Sequence, residues 1–221
     1  MDDMTRVPRS KEAARDTYNR LSGCYDVIAG AWEAPSRNRG LELLGLKPGQ
    51  RVLEIGFGTG QALPAMAGDV SEAGHCFGLD LAPGMAHTAH EKIVKAGVDR
   101  RVSLCVGDGA YPPFTARAFD AIFMSFTLEL FDTPEIPIVL RACRTMLQPE
   151  GRLCVVALSR SQVNLAVRIY EWVHRQAPRW IDCRPIYLRQ LLRDAEYRIV
   201  ETNSHSMWGL PVEIVLASRD G

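Results

Sequence analysis

Apolar residues follow two alternating patterns along the chain. Short, nearly continuous apolar runs are separated by longer segments in which apolar residues return every three or four positions. The runs fit buried strands, and the spaced segments fit helices. Such alternation is typical of a parallel sheet with helices on both faces. The pattern predicts strands at 51–55, 75–79, 102–106, 118–124 and 152–158, with helices at 61–67, 83–96 and 134–147.

The C-terminal part of the chain departs from this alternation. A predicted helix begins at Asp182 and ends at Ala195, and two strand-like runs follow at 197–206 and 212–218. Because only a hairpin-length connection separates these runs, they must pair antiparallel. The predicted fold class is therefore α/β: a Rossmann-like, doubly wound, seven-stranded sheet, mostly parallel, with an antiparallel C-terminal hairpin and N-terminal cap helices.

Two helices are predicted before the first strand. Helical spacing of apolar residues predicts one over about 9–30, and Ser36 is expected to cap a second that ends at Leu44. No repeat or linker divides the chain, so we predict a single domain over 1–221. Its predicted parts are a helical cap at about 1–45, a cofactor-binding core at about 51–160, and an acceptor cap with the terminal hairpin at about 161–221.

Composition narrows the classes of partner. The 26 Lys and Arg residues balance the 26 Asp and Glu residues, so no global field attracts nucleic acid. The charged start predicts no signal peptide, and no apolar run approaches the length of a membrane span. The six cysteines form no C-x-x-C pair, and the five histidines show no metal-binding spacing. We predict a cytoplasmic protein without a metal site; the sequence predicts no oligomeric state.

The most specific motif lies at the end of the first predicted strand. Glu54 is followed by glycine at every second position, at Gly56, Gly58 and Gly60. Bare glycine backbone at the carboxyl end of a strand lets a ligand approach closely. A dinucleotide fingerprint would place its third glycine where Gln61 stands, and no lysine follows for a phosphate loop. The loop therefore predicts a different cofactor.

Acidic residues end the next two predicted strands. Asp80 ends the second strand, where a carboxylate can accept hydrogen bonds from both ribose hydroxyls of a nucleoside. Leu81 would then lie against the base. Asp108 ends the third strand. Read alone, Asp80 could cap the following helix and Asp108 could stabilise a glycine-rich turn, but their position beside the glycine loop favours nucleoside binding.

Together these motifs resemble those of class I S-adenosylmethionine-dependent methyltransferases. From about Tyr18 to Leu158 the chain is similar to the UbiE-like (ubiquinone/menaquinone-type) small-molecule methyltransferases, although Glu150 stands where glycine is common in a turn. The resemblance implies S-adenosylmethionine as cofactor, with a tyrosine lid, Asp108 at the adenine amino group, and two residues after strand four at the methionine end. The implied cofactor-binding residues are Tyr18, Tyr25, Glu54, Gly56, Gly58, Gly60, Asp80, Leu81, Asp108, Gly109, Ala110, Ser125 and Phe126.

The predicted function is transfer of a methyl group, by in-line displacement, to a small organic acceptor. Alternatives are a methyltransferase acting on a phospholipid or membrane quinone, whose membrane association has no further support in the sequence, and a non-catalytic cofactor-binding protein of the same fold.

Candidates for a base or for substrate contact are less specific. They are Glu129 just after strand four, His205 at a strand end and His174 on a predicted helix, and each can equally be a packing or surface residue. Aromatic residues between 161 and 180, among them Trp172 and Trp180, predict the acceptor cap.

Overall fold

The computed structural model describes residues 10–21, 31–160, 183–207 and 209–219. Tyr25, His174, Trp172 and Trp180, with most of the predicted acceptor cap, lie outside these ranges. The described helices are α1 (Lys11–Leu21), α2 (Ala31–Leu44), α3 (Leu63–Asp69), α4 (Pro83–Lys95), α5 (Ile136–Met146) and α6 (Leu188–Asp194). The strands are β1 (Arg51–Ile55), β2 (His75–Asp80), β3 (Val102–Val106), β4 (Phe119–Ser125), β5 (Leu147–Leu158), β6 (Tyr197–Met207) and β7 (Leu210–Arg219).

The sheet confirms the predicted topology. Its strand order is β3-β2-β1-β4-β5-β7-β6. The first five strands in this order pair in parallel, whereas β7 pairs antiparallel with both β5 and β6. The chain order reverses beside β1, so the carboxyl ends of β1, β2 and β4 meet where open α/β sheets bind ligands.

Several predicted boundaries need correction. Helix α2 begins at Ala31, and Ser36 lies inside it, where its hydroxyl is hydrogen bonded to His205 instead of capping the helix. Pro35 is tolerated because it lies near the start of the helix, where little backbone hydrogen bonding is lost. Strand β5 begins at Leu147 and includes the residues predicted as a turn, because Leu147 already pairs with Phe119.

Helix α2 packs across β4 and β5 and thereby reaches the edge where a ligand would bind. At Gly40 its backbone comes so close that an added Cβ would lie 2.7 Å from Val156 and 3.0 Å from Phe123. The Cys154 thiol also donates a hydrogen bond to the Gly40 carbonyl at 3.3 Å. This close approach fixes α2 on the sheet and directs its first turn toward the carboxyl ends of the strands.

Candidate functional site

A cleft opens along the carboxyl ends of β1, β2, β3 and β4. It encloses about 1160 Å³ of empty space, including open solvent at its mouth. We call the part lined by Leu79, Asp80, Leu81, Gly107, Asp108 and Gly109 the β2–β3 end, and the part lined by Glu33, Arg37, Glu54, Ser125, Phe126 and Thr127 the β4 end.

The glycine loop crosses the cleft between these two ends. Gly56 has φ +73°, and an added Cβ there would overlap the side chain of Thr127. Gly58 has φ +52°, and an added Cβ would meet nothing within 4 Å. Glycine is therefore needed at the two positions for different reasons. Gly56 lets the turn after β4 pack against the loop, and Gly58 leaves open space beside the backbone on the cleft wall.

Asp80 holds this loop in place. Its two carboxyl oxygens accept hydrogen bonds from the backbone N–H groups of Gly58 and Ala82, both at 2.9 Å. Burial raises the pKa of Asp80, while these N–H donors oppose the rise. Each carboxylate oxygen has a further lone pair, so Asp80 can accept ribose hydroxyls while it still orders the loop.

Helix α1 closes over the β2–β3 end. The Lys11 ammonium lies 2.6 Å from Asp108 and 2.5 Å from Glu135, and Asn19 accepts a hydrogen bond from the Gly84 N–H at 2.8 Å. Burial lowers the pKa of Lys11, but its bonds to the two carboxylates outweigh burial, and the pKa is raised overall. Tyr18 of the same helix lines the cleft. Lys11 was not among the sequence candidates, since nothing in a single lysine marks this position.

The turn after β4 is shaped by an unusual backbone conformation. Phe126 has φ +51°, and its N–H donates to the Val156 carbonyl at 2.8 Å. The Thr127 hydroxyl donates to Ser125 O at 3.0 Å and to Gly56 O at 3.4 Å. A non-glycine residue in this region is strained and often marks a functional position. Here it places Phe126 in the wall of the cleft.

Three polar atoms at the β4 end are buried and unsatisfied. They are Arg37 Nε, Glu54 Oε2 and Ser125 Oγ, and no hydrogen-bond partner for them exists among the described residues. Burial raises the pKa of Glu54 to about 8, although the Arg37 charge opposes the rise. Unsatisfied buried polar atoms are costly. Since all three residues line the cleft, a ligand with both hydrogen-bond donors and acceptors would satisfy them.

Most of the predicted cofactor-binding residues meet in this cleft. The described lining contains Tyr18, Glu54, Gly56, Gly58, Asp80, Leu81, Asp108, Gly109, Ser125 and Phe126. Gly60 and Ala110 are not part of this lining. A Cβ at Gly60 would lie 2.8 Å from Ala89 of α4, so Gly60 allows helix packing, and Ala110 is buried and donates its N–H to Asp108. Their roles are in support of the site.

The position of Glu129 argues against the predicted substrate contact. A 3-10 turn at Leu128–Leu130 follows the strained Phe126 and directs Glu129 inward. Its side chain has no exposed surface, and it accepts a hydrogen bond from the Leu158 N–H at 3.1 Å. Burial raises the pKa of Glu129 to about 8. Glu129 thus lies beneath the cleft rather than on its wall.

We expect Glu129 to make stability depend on pH. Its pKa is about 8 in the folded protein, against an ordinary value of 4.5, so between these pH values the folded state holds a proton that the unfolded state has released. Stability therefore falls as pH rises through this window. Glu129→Gln should flatten the slope and stabilise the protein at pH 8 by at most roughly 4 kcal/mol, measured by urea unfolding at several pH values. Exposed Glu150→Gln is the control; an unchanged slope in Glu129→Gln would contradict the argument.

The two histidine candidates gain no support from the structure. His205 lies on β6, where its Nε2 is 2.8 Å from the Ser36 hydroxyl, and it is not part of the described cleft lining. Strand β6 is an edge strand of the sheet, far from β1, and this position explains why His205 does not reach the cleft. His174 lies outside the described residues. Within the described ranges, no cluster of three or more metal-ligating side chains is found, and no helix has the length and apolar character that crossing a bilayer requires.

Comparison with known proteins identifies the family. Residues 52–151 match the model described as "Methyltransferase domain". The chain is 30% identical over 169 residues to the ubiquinone/menaquinone biosynthesis C-methyltransferase UbiE of Teredinibacter turnerae, covering 72% of this chain and 67% of that protein. The chain belongs to the S-adenosylmethionine-dependent methyltransferases, in the UbiE-like family of small-molecule enzymes.

Two further comparisons bear on the breadth of this family. The chain is 33% identical over 136 residues to the nocamycin O-methyltransferase of Saccharothrix syringae, covering 62% of this chain and 48% of that protein, so it spans about half the length of this relative. The solved structure of the [4+2]-cyclase SpnF has a TM-score of 0.76 at 17% identity, with 96% of this chain and 97% of that chain covered. At such low identity the likeness shows the fold alone.

Proposed function

We propose that this protein transfers a methyl group from S-adenosylmethionine to a small organic acceptor. The observation that carries the proposal is the arrangement of the cleft. Open backbone at Gly58 lies between the Asp80 carboxylate on one side and the unsatisfied polar atoms of the β4 end on the other. When bound, S-adenosylmethionine supplies a methyl group on a sulfonium, already activated for displacement.

The residues of the β2–β3 end fit the nucleoside part of this cofactor. Asp80 would accept the ribose hydroxyls, and Leu81 would contact the adenine ring. Asp108 would accept from the adenine amino group, since its Oδ2 is reached only by the flexible Lys11 among the described contacts. Tyr18 would cover the cofactor from α1; Tyr25, the second lid candidate, remains a prediction from the sequence.

The residues of the β4 end fit the amino-acid part. The α-carboxylate would accept hydrogen bonds from Arg37, and the α-ammonium would donate to Glu54 and Ser125. This assignment satisfies each of the three buried polar atoms that lack a partner among the described residues. Arg37 was missed in the sequence because Glu33 and Arg37, one helical turn apart, have the spacing of an ordinary surface ion pair.

The names of the relatives support a small-molecule acceptor but differ on the methylated atom. One is an O-methyltransferase and the other a C-methyltransferase. A phospholipid or membrane quinone remains a subclass of this proposal. A non-catalytic cofactor-binding protein is the competing class, because the fold by itself does not imply methyl transfer: a protein named as a cyclase shares it. The described cysteines are free thiols, which supports a reducing compartment such as the cytoplasm.

Calorimetric titration with S-adenosylhomocysteine tests the cofactor assignment. We expect micromolar binding and no binding of NAD. Arg37→Met should lower the affinity for S-adenosylhomocysteine by about 10- to 100-fold, because it removes a charged hydrogen bond. It should leave 5′-methylthioadenosine, which lacks the amino-acid part, unchanged.

Arg39→Met is the matched control for this titration. Arg39 is exposed on the same helix and pairs with Glu42 at 2.8 Å, so its loss should leave both affinities unchanged. If the folded wild-type protein binds no S-adenosylhomocysteine, the proposed function fails. If Arg37→Met weakens both ligands equally, the cofactor can stand but the assignment of Arg37 to the carboxylate cannot. Methyl transfer itself then distinguishes an enzyme from a binding protein.

A further inference from the structure

Glu33 is one of the two charged residues of α2 that line the cleft. Helix α2 lies on β4 and β5, and Glu33 is in its first turn. Its charge acts on Glu129, which accepts a hydrogen bond from the last residue of β5. Glu33 lines the β4 end of the cleft, whereas the adenine site assigned above is at the β2–β3 end. We therefore place it beside the reacting methyl group rather than beside the nucleoside.

Glu33 is also chemically unassigned. It has no hydrogen bond or ion pair among the described residues, whereas the polar atoms of Arg37, Glu54 and Ser125 are accounted for by the amino-acid part of the cofactor. Burial raises the pKa of Glu33 to about 7, although the Arg37 charge opposes the rise. A base that titrates near neutral pH is well matched to proton abstraction. Among the described residues, the other charged groups on the cleft or beneath it are Lys11, Arg37, Glu54, Asp80, Asp108, Glu129, Glu135 and Arg184.

The other candidate bases lie in less suitable positions. Glu129 is sealed beneath the cleft with no exposed surface. Asp80 and Asp108 lie at the β2–β3 end, where both carboxylates already accept hydrogen bonds from backbone N–H groups. Glu135 is paired with Lys11 at 2.5 Å. Among the described carboxylates that line the cleft, Glu33 thus lies at the β4 end and keeps a lone pair available to accept a proton.

We propose that Glu33 is the general base of the reaction and that the acceptor is a weak acid, with a phenolic O–H or an enolisable C–H as the group that is methylated. This inference rests on the proposed function and names its substrate class. Amines and thiolates, which need little deprotonation, are not the acceptors for which such a carboxylate is required.

Methyl transfer with Glu33 as base conserves atoms and charge. The acceptor O–H or C–H bond breaks, and its proton passes to a Glu33 carboxylate oxygen. The electron pair left on the acceptor forms a bond to the methyl carbon, while the methyl–sulfur bond breaks and its pair stays on sulfur. The sulfonium charge is thereby lost, and Glu33 returns its proton to solvent.

The first test separates this role from cofactor binding. S-Adenosylhomocysteine and 5′-methylthioadenosine are titrated into the wild type, Glu33→Gln and Glu42→Gln. Glu42 is exposed on the same helix and serves as the matched control. We expect all three proteins to bind each ligand within about twofold. Selective loss of S-adenosylhomocysteine in Glu33→Gln would make Glu33 a ligand of the α-ammonium and overturn the proposal. Absence of binding to the wild type would instead overturn the proposed function itself.

The second test uses 4-nitrophenol as a phenolic probe and does not require turnover. Its affinity for the complex with S-adenosylhomocysteine should fall at least about tenfold between roughly pH 6 and pH 9 in the wild type, because two anions then face each other. Glu33→Gln should lose most of this fall, and Glu42→Gln should retain it. An identical pH dependence in the wild type and Glu33→Gln would contradict contact between the acceptor and Glu33.

The third test compares methyl transfer to two phenols of different acidity at about pH 8. 4-Methylphenol arrives protonated and needs a base, whereas 4-nitrophenol arrives ionised. Glu33→Gln should lower turnover of 4-methylphenol by about 100-fold or more and that of 4-nitrophenol by less than about tenfold. Equal losses for both probes would reduce Glu33 to a structural role. No transfer to either phenol by the wild type would overturn the acceptor class.

Discussion

Asp80→Ala is expected to abolish cofactor binding in the calorimetric range, a loss of at least about 100-fold in affinity for S-adenosylhomocysteine. The proposed site uses the Asp80 carboxylate for both ribose hydroxyls, and hydrogen bonds to a charged group contribute about 1.5–3 kcal/mol each. The substitution also frees the N–H groups of Gly58 and Ala82, which now lie 2.9 Å from its oxygens. Loss of the ligand contact and loss of loop order therefore act in the same direction.

Asp120→Ala is the matched control for this result. Asp120 accepts a hydrogen bond from the Arg51 N–H at 2.8 Å, at the amino end of β4 and away from the cleft. The substitution removes a carboxylate of the same kind, but it should leave the affinity for S-adenosylhomocysteine unchanged.

Gly58→Val tests the open backbone of the loop. Its side chain would enter open space at the loop, since a Cβ there meets nothing within 4 Å in the protein itself. It should block the ligand while the Asp80 side chain is unchanged, both by filling this space and by straining a backbone at φ +52°, which valine disfavours. Micromolar binding by Asp80→Ala in a folded protein would exclude the ribose role.

Arg184→Met is expected to destabilise the protein by about 3–5 kcal/mol, the largest effect on folding that we predict. Arg184 is almost fully buried and staples the turn after β4. It donates from Nε to Glu129 O at 3.3 Å, from Nη1 to Thr133 Oγ1 at 2.9 Å and from Nη2 to Phe131 O at 2.8 Å. Methionine fills a similar volume but leaves these acceptors without their donor.

The loss of Arg184 should reach the site through the same turn. Leu130 and Phe131 line the cleft. A loosened turn should therefore also lower the affinity for S-adenosylhomocysteine by about tenfold. Urea unfolding measures the first effect and calorimetry the second. Arg193→Met, an exposed change at the end of α6, should cost less than about 0.5 kcal/mol. If the two variants unfold at the same urea concentration, the hydrogen bonds of Arg184 contribute nothing to the stability of the protein.

Predictions from the sequence succeeded where a local rule and the topology agreed. Glycines that lack a Cβ can be recognised from their spacing, and a carboxylate at the end of a parallel strand must lie at the ligand-binding edge. Gly56, Gly58, Asp80 and Asp108 could therefore be placed from the sequence alone. Their positions in one cleft follow from the strand order and from the parallel pairing of β1 with β2 and β4.

Two candidate bases lie away from the described cleft lining, because burial and strand position, which local sequence does not fix, decide where their side chains lie. Glu129 was expected at the acceptor, but a positive φ at Phe126 and the turn held by Arg184 direct it inward. His205 was a candidate at a strand end, but the strand is the edge strand β6 and its partner is Ser36. Neither the burial of Glu129 nor the contact of His205 with Ser36 can be recognised from the few residues around each side chain.

By itself, the sequence determined the fold class, the methyltransferase family and the position of the glycine loop, Asp80 and Asp108 at the carboxyl ends of the strands. These depend on hydrophobic periodicity and on backbone conformations that only certain residues adopt, and both are local properties. The tertiary structure alone decided that Glu33, Arg37 and Lys11 face the cleft and that Glu129 and Arg184 do not. Which face of a helix meets a cleft depends on packing between distant segments, such as Gly40 against Val156, and that packing is a property of the whole fold.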